Sequence, residues 1–272
     1  MKILMNDETL FKNIEVFDNY FVPEEFKYRD TQIRSLGICI SPALRRAKPS
    51  NALLIGSTAT GKTTSIRFLL NELREHRNKI IPIYVNCEIY NTEYKILSEM
   101  YKKMFGYSPP ISGLPSSELF NEIFSHLSKK SMVLLIVLDD SEIIFDKSNS
   151  IIYSILRGYE VYPNIKAAVW CITHKNLMHM LNDKTRSIFS PEVIEYKKYT
   201  NKEIIDILTK RAEYGLYEGV ISKDLIEIIA ENCFDLRYAI EYLKRAAMLA
   251  ESDASRKINE KHIKKVIASK AI

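Results

Sequence analysis

The chain has 272 residues, of which 46% are hydrophobic and 27% are charged, so its composition is that of an ordinary globular protein. Its net charge of +5 is compatible with a nucleic-acid partner, but the basic residues are too dispersed to indicate one. No stretch approaches the roughly 20 apolar residues of a transmembrane helix, and the cysteines and histidines lack metal-site spacing. Composition and length therefore exclude a membrane-spanning helix and leave one large domain or two modest ones.

Strand and helix signals alternate along the first three quarters of the chain. An uninterrupted apolar run at 132–138 is typical of a strand that is buried on both faces of a parallel sheet. The alternation predicts a doubly wound α/β domain. The predicted strands are 51–55, 80–85, 132–138, 167–173 and 193–199, and the predicted helices between them include 63–77, 92–105 and 117–127.

The pattern changes after Thr200, where helix signals follow one another without a strand. Thr200 is predicted to cap the first of these helices, because Glu203 follows at the spacing of a capping box. The sequence thus predicts an α/β core at 1–199 and a small all-α domain at 200–272. The predicted helices of the second domain are 201–214, 222–231, 235–250 and 259–269.

A phosphate-binding motif, GxxxxGK[ST], lies between the first predicted strand and the following helix. Glycines let the backbone curl so that its N–H groups point at a phosphate, and the helix N-terminus adds its positive dipole end. Lys62 is expected to reach the β- and γ-phosphates, and the Thr63 hydroxyl to bind Mg²⁺. The predicted nucleotide-binding residues of this loop are Gly56, Ser57, Thr58, Ala59, Thr60, Gly61, Lys62, Thr63 and Thr64.

An acidic cluster follows the buried run at 132–138. A carboxylate at the end of a strand beside a phosphate loop can hold Mg²⁺, and the next one can polarise the attacking water. Asp139 is therefore predicted to bind the metal and Asp140 to be the catalytic base. ATP or ADP with Mg²⁺ is the expected cofactor.

Several segments resemble the AAA+ ATPases, and within them the replication initiators of the origin-recognition-complex-subunit-one and cell-division-cycle-six type. The segments 20–30, 41–51 and 84–87 are similar to the family's N-terminal adenine segment, to the lead into its first strand and to its second strand. The segment 113–115 and the helix after it resemble the initiator-specific insertion region. The resemblance implies an AAA+ P-loop NTPase core with a parallel five-stranded sheet, followed by a small all-α lid domain.

The resemblance also implies roles for individual residues. Val22 and Arg29 match the segment that lies against the adenine. His174 stands at the sensor 1 position, and Arg237 matches the sensor 2 arginine that contacts the γ-phosphate from the lid. The segment 184–187 resembles the one that supplies a basic finger to a neighbour's nucleotide, with Arg186 as the candidate and Lys184 as its alternative.

Three departures from the family pattern modify these expectations. Asp140 stands where the family has Glu, so its oxygens would lie about a bond length further from the water, and His174 replaces the usual Asn. Both changes predict slow hydrolysis with nucleotide binding retained. The resemblance ends with the lid at residue 272, without the family's C-terminal winged-helix domain. DNA contacts would then depend on the insertion region and on basic residues, with Lys102, Lys103, Lys129 and Lys130 as candidates for phosphate contacts.

The resemblance implies an ATPase that acts in the initiation of DNA replication. Its expected partners are origin or non-specific double-stranded DNA and other initiator subunits or a helicase. A homo- or hetero-oligomer is a further expectation, because a basic finger implies a neighbouring subunit. No membrane partner is expected, and the expected location is the cytoplasm of a prokaryote, an archaeon. The alternatives are a nucleotide-dependent protein-binding switch without DNA recognition, or another P-loop ATPase such as a transposition helper.

Overall fold

A computed structural model describes residues 9–110, 113–147 and 150–269. The chain divides into two compact units. The α/β unit consists of residues 29–57 and 61–196, and the helical unit consists of residues 9–28, 58–60 and 197 onward.

A five-stranded parallel sheet forms the centre of the α/β unit, as predicted. Its strands are β1 (Ala52–Ile55), β2 (Ile80–Asn86), β3 (Val133–Asp139), β4 (Lys166–Thr173) and β5 (Glu192–Glu195), in the order β2-β3-β4-β1-β5. All four strand pairs are parallel. Every residue of β3 is buried, which agrees with the expectation from its unbroken apolar run.

Seven helices belong to the described part of this unit. They are α1 (Asp30–Leu44), α2 (Lys62–Glu72), α3 (Glu93–Phe105), α4 (Ser116–Lys130), α5 (Glu142–Lys147), α6 (Ser150–Arg157) and α7 (Asp183–Phe189). Separate hydrophobic clusters cover the two faces of the sheet. Neighbouring β3 residues Leu134 and Leu135 belong to different clusters, because successive side chains of a strand point to opposite faces.

Two predicted elements end earlier than the sequence pattern suggested. The fifth strand ends at Glu195 rather than at residue 199, because its partner β1 ends at Ile55, opposite Glu195. The helix predicted to reach residue 77 ends at Glu72 and continues as a 3₁₀ turn over Leu73–His76. Helices α1, α5, α6 and α7 were not predicted.

The helical unit contains α8 (Asn201–Gly215), α9 (Lys223–Glu231), α10 (Leu236–Ser252) and α11 (Glu260–Ala268). The predicted capping box is present, since Thr200 Oγ1 accepts from Glu203 N at 3.3 Å and Glu203 Oε2 accepts from Thr200 N at 2.7 Å. These two hydrogen bonds satisfy the backbone N–H groups of Thr200 and Glu203, which have no partner within the helix itself.

Residues 9–28 belong to the helical unit, which differs from the predicted division at residue 200. Leu10, Phe11, Val16 and Phe17 are buried in the same hydrophobic cluster as the helices that follow residue 200. Burial of these apolar side chains stabilises the packing of the N-terminal segment against the helices. The N-terminal segment therefore packs as part of the helical unit.

Polar contacts add to this packing. Lys244 Nζ donates to Asp18 Oδ1 at 2.7 Å, and this hydrogen bond is the main reason that the pKa of Asp18 is lowered. The Tyr28 hydroxyl donates to Asp206 Oδ2 at 2.7 Å and lowers the pKa of that carboxyl. The Arg211 guanidinium lies 4.5 Å from the centre of the Phe21 ring, and burial lowers its pKa to about 10.

All four cysteines are free, and three of them are buried. Among the described residues, no helix is both long and apolar enough to cross a membrane.

Candidate functional site: a phosphate loop beside two strand-end carboxylates

The phosphate loop connects β1 to α2 through unusual backbone conformations. Gly61 has φ of +89° and immediately precedes α2, where a residue without a Cβ adopts this conformation without strain. Ala59 also has a positive φ, of +58°. Gly56 N donates to Thr173 O at 3.3 Å, which ties the start of the loop to the end of β4.

The Lys62 ammonium lies inside the curve of this loop. Its Nζ donates to Gly56 O at 2.6 Å and to Ser57 O at 2.8 Å, and the residue is buried. Ser65 Oγ and Ser65 N both donate to Gly61 O, at 2.9 Å each, which fixes the first turn of α2. A buried positive charge beside a helix N-terminus favours an anion.

Thr63 and Asp139, the two predicted metal ligands, are in direct contact. Thr63 Oγ1 donates to Asp139 Oδ2 at 2.9 Å, although the two residues are 76 positions apart. Asp139 is only 2% exposed, and its Oδ1 accepts from Asp140 N at 3.0 Å. The parallel sheet produces this meeting, because the carboxyl ends of β1 and β3 lie at the same edge.

Asp140 has a left-handed backbone conformation, with φ of +50°. Aspartate tolerates this conformation better than most residues do. Its Oδ2 accepts from Asn86 Nδ2 at 3.2 Å. Burial, and next the negative charges of Asp139 and Glu142, raise the pKa of Asp140. A raised pKa makes a carboxylate a stronger base, which suits the predicted role.

His174 contacts an acidic residue that the sequence did not single out. Its Nδ1 lies 2.7 Å from Glu142 Oε1, and its backbone N donates to the same oxygen at 2.5 Å. The His174 side chain is 51% exposed. Glu142 therefore fixes the orientation of the imidazole, and its position in the first turn of α5 follows the two aspartates closely in sequence.

Two further residues, both on β2, were missed as members of the site. The Tyr84 hydroxyl donates to Asp139 Oδ2 at 2.5 Å, and Asn86 contacts Asp140. Burial raises the pKa of Tyr84, and the charge of Asp139 acts in the same direction. The sequence did offer a signal for them: two polar residues, two positions apart, at the end of the strand that pairs with β3, which ends at Asp139.

The remaining predicted residues lie elsewhere in the two units. Arg29 is buried, with its guanidinium 5.8 Å from the centre of the Tyr196 ring, and Val22 is partly buried. Arg186 is exposed on α7 and pairs with Asp183 of the same helix. Arg237 is exposed in the first turn of α10. Their proposed contacts with nucleotide stay predictions.

Asp235 explains part of the motif that suggested Arg237. It caps α10, with its Oδ1 accepting from Arg237 N at 2.9 Å and from Tyr238 N at 3.1 Å. The aspartate of the motif thus starts the helix, and the arginine follows in the first turn.

Comparison with known proteins identifies the family. Residues 45–181 match the model of an AAA domain, and residues 205–268 match the model of a Cdc6 AAA+ ATPase-type lid domain. The chain is 38% identical to ORC1-type DNA replication protein 2 of Methanothermobacter thermautotrophicus, covering 98% of this chain and 72% of the relative. The chain belongs to the ORC1-type DNA replication proteins.

Other relatives agree with this assignment. ORC1-type DNA replication protein 2 of Methanosarcina acetivorans is 36% identical, over 97% of this chain and 72% of the relative. The structure of the Aeropyrum pernix ORC1 protein in complex with DNA has a TM-score of 0.86 and 27% identity, covering 97% of this chain and 71% of that one. The protein is thus an AAA+ ATPase of replication initiation, and the predicted family, fold class and general function are confirmed. The alternative of a transposition helper is not supported.

Proposed function

We propose that this ORC1-type protein binds Mg²⁺–ATP through its phosphate loop and strand-end carboxylates, hydrolyses it slowly, and uses nucleotide state to control DNA binding. The observation that carries the proposal is the hydrogen bond between Thr63 Oγ1 and Asp139 Oδ2, directly after Lys62, whose ammonium is bonded to Gly56 O of the loop. It brings together the two oxygens that would hold a metal, at the start of the helix that follows the phosphate loop.

The residues present fit a magnesium ion. Mg²⁺ prefers oxygen ligands and keeps several waters, so one hydroxyl and one carboxylate suffice when the nucleotide supplies the rest. Within the described ranges, no group of three or more His, Cys, Asp or Glu residues could hold a metal by itself. When bound, the ion would neutralise charge on the phosphates. Thr63 and Asp139 would hold it, and Lys62 would bind the phosphates.

Slow hydrolysis is proposed because of Asp140 and His174. Asp140 has the raised pKa that suits a base, but its side chain is one methylene shorter than the family's glutamate. His174 has Nδ1 directed at Glu142, so only its other ring nitrogen could serve a phosphate. From their sequence match to the family, we further propose that Arg237 contacts the γ-phosphate and that Val22 and Arg29 lie against the adenine. On the same ground, Arg186 would contact the nucleotide of a neighbouring subunit.

DNA is the proposed macromolecular partner, together with other initiator subunits or a helicase. A relative from Aeropyrum pernix has been solved with DNA, which supports this partner class. Lys102 near the end of α3, and Lys129 and Lys130 at the end of α4, are exposed and could contact phosphates. The archaeal relatives support a cytoplasmic location in an archaeon.

Nucleotide binding is tested first, with a fluorescent ATP analogue and purified protein. Lys62→Ala should weaken binding at least a hundredfold, because it removes the phosphate-binding charge. Lys95→Ala, which removes an exposed lysine from α3 of the same unit, should leave binding unchanged. Equal affinities for the wild type and Lys62→Ala would refute the proposed site.

DNA binding is tested by fluorescence anisotropy of a labelled duplex with ATP, ADP or no nucleotide across a salt series. The proposal expects nucleotide-dependent binding that weakens as salt rises, because phosphate contacts release counterions. Intact ATP binding with no duplex binding under any condition would favour the protein-binding switch instead.

A further inference from the structure

The β2 strand places two polar side chains on the same side of the sheet at the edge that carries the acidic cluster. Tyr84 and Asn86 are two residues apart, so their side chains leave the strand in the same direction. Asn86 lies directly opposite Asp139 in the parallel ladder. This register brings the Tyr84 hydroxyl to 2.5 Å from Asp139 Oδ2.

Three donors together fix the Asp139 carboxylate. Its Oδ1 accepts from Asp140 N at 3.0 Å, and its Oδ2 accepts from Thr63 Oγ1 at 2.9 Å and from Tyr84. Thr63 would itself be a metal ligand. Tyr84, the other Oδ2 donor found among the described residues, has no such role, so its hydroxyl can hold the oxygen in place during metal binding and release.

The Tyr84 ring and backbone also have contacts that do not involve the hydroxyl. The Lys103 ammonium lies 5.8 Å from the centre of the ring, and Lys103 Nζ also donates to Tyr84 O. The tyrosine backbone is paired within the ladder to β3. A phenylalanine could keep the ring contacts, so the hydroxyl can be removed without emptying the space.

We propose that Tyr84 is a positioning residue that orients the Asp139 carboxylate for magnesium binding. The inference rests on the proposed Mg²⁺–ATP function and assigns the Tyr84 hydroxyl a role within it. Hydrogen bonds to a ligating carboxylate restrict its rotation, and their removal typically costs about 10–100-fold in metal affinity or activity. The expected effect lies in the magnesium requirement and not in nucleotide affinity as such.

The test measures binding of a fluorescent ATP analogue during a Mg²⁺ titration, and separately in EDTA. Tyr84→Phe should raise the Mg²⁺ concentration for half-maximal enhancement about tenfold, while the affinity in EDTA stays within twofold of the wild type. Tyr162→Phe is the matched control, because it removes a hydroxyl that contacts Asn121 elsewhere in the same unit. It should match the wild type in both conditions.

A double-mutant cycle with Asp139→Asn separates positioning from general packing. If Tyr84 acts through Asp139, adding Tyr84→Phe to Asp139→Asn should change the magnesium midpoint less than twofold. Equal losses in Mg²⁺ and EDTA would assign Tyr84 a purely structural role and overturn the inference. A wild-type midpoint in Tyr84→Phe would also overturn it and leave the proposed function intact, whereas a wild type with no magnesium dependence would refute both.

Discussion

Replacing Asp140 by glutamate should accelerate ATP hydrolysis. The substitution gives the proposed catalytic base a side chain that is longer by one methylene, which advances the carboxylate by about 1.5 Å, the length of one C–C bond. Misplacement by about 1 Å can cost on the order of a hundredfold in rate. The longer side chain would also alter the Asn86 contact at 3.2 Å, so the hundredfold figure is an upper bound. We therefore expect a gain of about 10–100-fold in kcat.

The variant should also be slightly less stable. Asp140 has φ of +50°, and most residues other than Gly, Asn and Asp occupy this region at a cost of about 1–2 kcal/mol. A melting temperature lowered by a few degrees is therefore expected for Asp140→Glu. This penalty concerns folding and does not oppose the gain in turnover at temperatures well below the melting point.

The assay is steady-state phosphate release at saturating Mg²⁺–ATP, with nucleotide affinity measured on the same samples. Asp140→Asn is the control, because it keeps the size of the side chain and removes the base. It should reduce hydrolysis by at least a hundredfold with ATP affinity nearly unchanged. If Asp140→Glu binds ATP normally but turns over no faster than the wild type, the methylene argument is refuted.

Three further outcomes are expected. Gly215→Ala should destabilise the protein by about 1–3 kcal/mol in urea unfolding, because the added Cβ would lie 2.3 Å from the buried Phe17 ring. Gly37→Ala is the control, because Gly37 faces open space in α1, and it should stabilise the protein by up to about 1 kcal/mol. The lowered pKa values of Asp18 and Asp206 mean that their contribution to stability is fully present above a pH of about 4. This contribution is lost as the pH falls through the lowered pKa values, so the NMR chemical shifts of residues 9–28 should change in that acidic range. Arg237→Ala should reduce the preference for ATP over ADP about tenfold in competition binding, with ADP affinity retained.

The sequence was sufficient to predict those parts of the fold that depend on a strong local pattern. The buried run of β3 and the capping box at Thr200 are examples, because each depends on neighbouring residues. Helix α1 was not predicted, since Gly37 and Pro42 interrupt its pattern, and α5 and α6 are short. Their formation depends on packing partners that are distant in sequence.

The candidate site was predictable where a motif defines it. Thr63 and Asp139 are in contact, because the motif and the strand order bring them to one edge of the sheet, and their role as metal ligands stays a prediction. Tyr84 and Glu142 were missed because their roles depend on strand register and on contacts across elements. The register of β2 against β3 is a property of the folded sheet, and a single sequence does not state it.

The packing of residues 9–28 with the C-terminal helices has a consequence for synthesis on the ribosome. Thr9 and Glu251, which are hydrogen-bonded, are 242 residues apart. At about 5–20 residues per second, the second partner emerges roughly 12–50 s after the first. The α/β sheet can form during that interval, while the apolar N-terminal segment still lacks the helices against which it packs. Nascent chains stalled before residue 200 should therefore expose this segment to chaperones and proteases, and completion of α8 to α10 should end that exposure.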